Sequence, residues 1–258
     1  MLAFTVKKAF FDLWDNFLPS VLVNLGAIVV LIFPLTLPFE AATRSIPLAY
    51  LLLGIGVILI FVYACAAAAY AESIINHESF EWSAVPGYFK RTWKVSVFFA
   101  LATYAIWFLL GIAVPTYAGM GSVLGSAAMA LLLWSSLLWF LSSQYIFPAA
   151  LQTNCGFRKA VKKSFLLFFD NTGFTLFLFF GSLVALGISV LTAFLFPGLM
   201  GILIWHQTGL KLRLYKYDYL EEHPDTPRGA LPWDALLKEE REILGKRTFK
   251  NTIFPWKD

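Results

Sequence analysis

The chain has 258 residues, 59% of them hydrophobic, 17% aromatic and only 14% charged, against about 25% charged in ordinary soluble domains. So large an apolar excess cannot be hidden in one water-soluble core, because the surface of such a core still needs polar groups. A transmembrane β-barrel is excluded as well: stretches such as 48–71 and 123–147 are apolar throughout, where a barrel strand would alternate. The expectation is an all-α membrane protein whose solvent is the bilayer, since lipid forces each backbone N–H and C=O to pair within its own segment. The net charge of +4 flanks apolar runs instead of forming one basic surface, so nucleic acid is not an expected partner.

A spanning helix needs about 20 mostly apolar residues. In chain order the candidates are 17–39, 46–71, 95–117, 123–147 and 174–196. A sixth, shorter one is clearly apolar only over 199–210. Before the first of them, Lys7 and Lys8 precede an apolar run that Asp12 and Asp15 interrupt, and no small-residue cleavage site follows, so no cleavable signal peptide is expected. With six crossings, every one of the 20 Lys and Arg except Arg44 falls on one side. The positive-inside rule makes that side the cytosol and puts both termini there. The expected location is therefore the bacterial cytoplasmic (inner) membrane, multi-pass.

The outer loops are short and the cytosolic ones longer, which groups the helices into three hairpins over about 1–72, 85–148 and 158–218, within a membrane domain 1–220. Their lead-ins repeat. Val6-Lys7-Lys8-Ala9-Phe10 is followed by Trp14-Asp15-Asn16, and Val161-Lys162-Lys163-Ser164-Phe165 by Phe169-Asp170-Asn171 at the same spacing, with Gly26 and Gly181 in register. Tyr88-Phe89-Lys90-Arg91-Thr92-Trp93 is a looser version. Val6, Phe10 and Trp14 share one helical face, as do Val161, Phe165 and Phe169. Such basic-aromatic helices can lie in the interface with Lys7, Lys8, Lys90, Arg91, Lys162 and Lys163 toward anionic lipid headgroups and Trp14 and Trp93 as anchors. Plain topology signals, a specific headgroup site and packing between repeats are all compatible with this pattern.

Beyond Tyr215 the composition turns polar. The cytosolic tail, 221–258, contains a short amphipathic helix over 232–244 with Trp233, Leu236, Leu237 and Leu244 as its stripe, then Phe249, Ile253, Phe254 and Trp256 among lysines. Aromatics at this density are covered by something: the chain's own cytosolic face, the membrane surface, or a protein of a membrane complex, with Trp233, Leu236, Leu237, Phe249, Phe254 and Trp256 as contacts.

Chemistry is hard to find. The spans have no Asp, Glu, Lys or Arg at their centres, which argues against an ion-coupled pathway. Asn24 and Gln144 read as bonds between helices, and His206 as a structural or solvated residue near the interface. His77 with Glu72, Glu78 and Glu81 is the one acidic-histidine group, on a loop. Cys65 and Cys155 are isolated, and the histidines are dispersed. No catalytic residue, metal site or cofactor is expected. Small residues at Gly54, Gly56 and 64–69 suit close helix approach.

On "VKKAFFDLWDN", "YFKRTWK" and "VKKSFLLFFDN" the chain resembles the bacterial inner-membrane families that include YesL-like proteins. It is also similar to the membrane domain found ahead of some glycerophosphodiester phosphodiesterases, without their catalytic domain. The resemblance covers about residues 1–220 and implies a helper of envelope or transport processes. The function expected is thus a non-enzymatic accessory or scaffold subunit; the alternative is a small-molecule or lipid transporter.

Overall fold

A computed structural model of the chain describes residues 1–78, 81–227, 231–245 and 247, and every regular element among them is helical. An amphipathic helix α1 (Leu2–Asp15) turns at Asn16 into α2 (Phe17–Ala42), which a short link joins to α3 (Ile46–Ile75). After a 3₁₀ turn at Trp82–Ala84 come α4 (Val85–Gly119) and α5 (Val123–Ser143). The short α6 (Ile146–Gln152) and the amphipathic α7 (Phe157–Asp170) lead into α8 (Thr172–Leu191), α9 (Gly198–Glu222) and two tail helices, α10 (Trp233–Leu236) and α11 (Lys238–Leu244).

Five helices are long and apolar enough to cross a membrane: α2, α3, α4, the α5–α6 stretch and α8. The sixth apolar segment became α9, which does not meet that description. It is instead the most enclosed of the long helices, packed on α1, α2, α3, α6 and α8. Its polar residues are interior ones: Gln207 and Thr208 are fully buried. Gln207 Nε2 donates to the Ala68 carbonyl at 3.0 Å, and its side-chain oxygen accepts from Gln152 at 2.7 Å. The small residues 64–69 of α3, alanines apart from Cys65, supply the flat surface that admits this approach.

The start of α9 is held by distant residues. Four N–H groups at a helix start have no partner within the helix; here Met200 N donates to Asn24 Oδ1 at 2.8 Å and Gly198 N to the Ser189 hydroxyl at 2.9 Å. Asn24 Nδ2 donates in turn to the carbonyls of Leu195 and Pro197, each at 2.9 Å. Gly198 is required there: its φ is +62° and a Cβ would run into the Asn24 amide.

The two strong lead-ins fold alike. In both, a 14-residue amphipathic helix ends at an Asn whose side chain closes the corner on its own helix, Asn16 on the Asp12 carbonyl and Asn171 on that of Leu167. The glycines kept in register do the same job. A Cβ at Gly26 would collide with Tyr63 of α3, and one at Gly181 with Trp205 of α9. Tyr63 donates to the Val23 carbonyl at 2.7 Å and Trp205 to that of Leu178 at 2.8 Å, each three residues before its glycine. In the middle copy there is no Asp-Asn corner, so the lead-in runs straight into the span as one 35-residue helix, α4.

Two sequence expectations shift. The fourth span, 123–147, breaks at Gln144 and Tyr145, because the ring of Pro148 is incompatible with a helical carbonyl four residues earlier. The fifth ends at Leu191 instead of 196, where 192–197 turns back toward α9 with Ala193 and Phe194 at positive φ. Pro34, Pro38 and Pro115 lie inside helices near their ends. Pro34 meets Gly56, which lets α2 and α3 touch closely.

Candidate functional site

The charged residues collect at the end of the bundle that carries α1, α7 and the tail helices. Lys8 lies on the inner face of α1 with Thr5, Ala9, Asp12 and Leu13, a buried series spaced three and four apart. It is fully buried. Its Nζ sits 3.2 Å from Asp12 Oδ2 and 2.9 Å from Glu240 Oε2 of α11, with the Ile75 carbonyl at 3.4 Å. Lys211 of α9 reaches Glu240 Oε1 at 2.7 Å and the same Ile75 carbonyl at 2.9 Å. Tyr215 donates to Glu240 at 2.8 Å, and His77 stands at the edge, 3.3 Å from Lys8 Nζ. Two ammonium groups therefore meet two carboxylates in a closed, neutral hub that ties the first helix to the last.

The environment splits the two acids. Burial opposes ionisation of Glu240, but the ammonium groups of Lys211 and Lys8 overcome it and hold the carboxyl down to about 2. Asp12 moves the other way: burial dominates, with Lys8 opposing, and its pKa is raised above the ordinary value. Tyr215 is raised by burial and by the carboxylate to which it donates, which keeps it a donor.

Two further stations surround the hub. Asp170, at the end of α7, takes Lys216 at 2.9 Å and Tyr217 at 2.7 Å, while Arg213 lies 4.1 Å over the Phe174 ring. Its repeat partner Asp15 takes Arg247 through two bonds of 2.6 and 2.7 Å. Both corner aspartates thus hold C-terminal parts of the chain. On the far side, Arg91 chelates Glu72 at 2.6 and 3.3 Å and donates to the Leu151 carbonyl at 2.8 Å, tying α3, α4 and α6 together.

This placement revises several sequence expectations. Lys8 does not face the headgroup layer; α1 has two working faces, and the one bearing Lys8 turns inward. Arg91 keeps a side chain 42% exposed while serving an ion pair. Lys90 and Lys162 are exposed, Lys7 and Lys163 half-buried, and Trp14 and Trp93 project outward. Leu237 is fully buried against its own chain, so it is not a free partner contact. Trp233 and Leu236 are half-buried. Phe249, Phe254 and Trp256 lie outside the described residues. The acidic-histidine group is not assembled: Glu72 goes to Arg91, His77 to the hub.

Glu240 is the site residue that sequence reasoning misses, yet a signal for it exists. It stands three residues after Leu237 and four before Leu244, on the apolar stripe itself, where a carboxylate needs a buried cation. Among the described residues, no three His, Cys, Asp or Glu side chains are grouped to hold a metal ion. The fold and the hub define a multi-pass helical membrane protein with a self-docked C-terminal segment. The chain matches no family model, no curated protein and no solved structure.

Proposed function

We propose that the chain is a non-enzymatic accessory or scaffold subunit of the bacterial inner membrane, crossing it six times with both termini in the cytosol. The observation that carries this is the hub, in which Lys8, Lys211 and Glu240 lock the tail helix beneath the bundle. Its charges satisfy one another, which suits a fixed platform better than a relay. On this reading α9, ringed by other helices, is the sixth crossing. Its low apolarity reflects protein neighbours, and polar groups are tolerated at membrane depth when they face the interior and pair. An even count also returns the tail to the side of α1, as the hub requires.

On this reading the platform presents Lys90, Lys94, Arg158, Lys159 and Lys162, all exposed, with Trp93 and Trp14, to anionic headgroups and to an acidic partner surface. Trp233 and the exposed Ile243 mark where a protein would touch the tail. The resemblance to YesL-like proteins belongs to this proposal, and the lead-ins that carry it are the packed corners described above.

The test is mild detergent extraction of tagged protein from native membranes, with quantitative mass spectrometry of what accompanies it. A chain truncated after Pro224 and the Trp233→Ala variant are run beside it. A stoichiometric companion lost in both supports the proposal; protein that emerges alone in every case overturns it. The alternative, a lipid-handling role, is favoured by a cleft on the opposite side of α9.

A further inference from the structure

A cavity of about 220 Å³ lies where α4, α6 and the start of α7 meet, with Cys65 of α3 among its walls. It brings Arg91 and Lys94 of α4 together with Asn154 and Gly156 of the link into α7. All four are exposed, so an occupant reaches them from outside. Among the described residues, no Asp or Glu lines the cavity. Asn154 ends α6 at φ +44°, a conformation that Asn tolerates. The stacked rings of Phe98 and Phe157, 6.0 Å apart, then hold the first turn of α7 on α4.

The polar groups of this corner are unevenly used. Its acceptors are taken. The Ala149 carbonyl accepts from Thr153 Oγ1 at 2.6 Å, that of Ala150 from Cys155 N at 3.0 Å, and that of Leu151 from Asn154 N at 3.1 Å and Arg91 at 2.8 Å. Its donors are in surplus. Arg91 gives two bonds to Glu72 and one to Leu151, which leaves guanidinium N–H groups to spare. Lys94 pairs with no carboxylate among the described residues, its ammonium lying 5.6 Å over the adjacent Trp93 ring. Arg158 and Lys159, both exposed, crowd the first turn of α7, where no acidic residue stands and where an anion is favoured over a cation. Further along α4 the surface turns apolar, with Phe98 57% and Leu101 47% exposed.

We propose that this cavity is a phosphate site that takes the head group of one anionic phospholipid, whose acyl chains lie on the Phe98–Leu101 ridge. The phosphate accepts from Lys94, from the spare N–H groups of Arg91 and from the Asn154 amide. Glu72 balances Arg91, but Lys94, Arg158 and Lys159 are uncompensated, so a zwitterionic lipid would add its own cation to a site already in excess. Soluble phosphate would meet the same donors and leave the apolar ridge bare, which assigns the site to lipid. It rests on the reading that the basic segments lie in the headgroup layer, and not on the scaffold role.

The full chain, stripped of lipid in mild detergent, is titrated with phosphatidylglycerol or phosphatidylcholine, and bound lipid is counted by native mass spectrometry. One tightly held phosphatidylglycerol per chain is expected. Lys94→Gln should weaken it at least about tenfold, as loss of a charge-assisted bond does, and Lys94→Arg should retain it. Lys90→Gln and Lys162→Gln remove the same charge from exposed places outside the lining and should each cost less than about fivefold. Amide exchange over 154–160 should slow in phosphatidylglycerol nanodiscs relative to phosphatidylcholine ones. Monodisperse elution of each variant guards against misfolding. Equal weakening by all three Gln variants would overturn the site while leaving the headgroup reading in place. A parent chain without preference for phosphatidylglycerol would overturn both. Slowed exchange over 154–160 with inorganic phosphate in phosphatidylcholine nanodiscs would give the site to a soluble anion and overturn the assignment to lipid.

Discussion

Replacing Glu240 by Ala should release the tail while leaving the bundle folded. The carboxylate side chain is 4% exposed and answers Lys8, Lys211 and Tyr215 at 2.9, 2.7 and 2.8 Å. Removing one member of a buried ion pair costs about 3–5 kcal/mol, because the survivor keeps its charge without its partner. What docks the tail otherwise is chiefly the burial of Leu237 and Leu244, worth about 1.5–3 kcal/mol each before the ordering entropy is subtracted. The loss is thus comparable with the whole docking energy. The lower-energy response is for α11 to leave, letting water reach Lys8 and Lys211. Amide exchange over 238–244 should then speed up by about 100-fold or more, since about 1.4 kcal/mol is a factor of ten. Exchange in α3 and α9 should change little. If 238–244 stay as protected as in the parent chain, the hub does not hold the tail and the reasoning fails.

Other consequences are open to measurement. The folded pKa of Glu240 lies below its ordinary value, so its contribution is fully present above about 4.5 and lost as pH falls through about 2. Tail protection should therefore stay level from pH 7 to pH 5 and decline only in stronger acid; a midpoint near pH 6 would assign control to another group. Asn24→Leu leaves two carbonyls and one N–H of the α8–α9 turn without partners. At about 1–3 kcal/mol for each unmade bond, it should lower the thermal midpoint in detergent more than Asn16→Ala does. Gly26→Leu and Gly181→Leu strike equivalent places and should destabilise by similar amounts, at least about 1–3 kcal/mol each for forced overpacking. A large cost at one and none at the other would deny the repeat. Asp170→Ala removes the acceptor of Lys216 and Tyr217, and faster amide exchange at the end of α7 is its expected sign.

Much of the architecture was legible because lipid imposes its demands on composition. The five long apolar helices stand out as runs, and the lead-in repeat is visible because Lys-Lys, Asp-Asn and the later glycine all keep their spacing. That the glycines admit Tyr63 and Trp205 was not readable, since those aromatics sit on other helices about 24 to 37 residues away in sequence. For α9, inward-facing Gln207 and Thr208 dilute the apolar signal that membrane burial would otherwise leave. The hub was least visible. Its members come from four elements and join residue 8 to residue 240, a pairing no local pattern encodes. Lys8 looked like its neighbour Lys7, though only one of them lies on the inner face.

The central claim, six crossings with the tail returned to the side of α1, is tested most directly by labelling single cysteines from outside. In a background with Cys65 and Cys155 changed to Ala, the variants Lys7→Cys, Arg44→Cys, Gly121→Cys and Lys238→Cys would be treated with a membrane-impermeant maleimide in intact cells. The account predicts prompt labelling at positions 44 and 121, and at 7 and 238 only after the membrane is opened. Labelling of position 238 in intact cells, with 7 still protected, would mean five crossings and would contradict it.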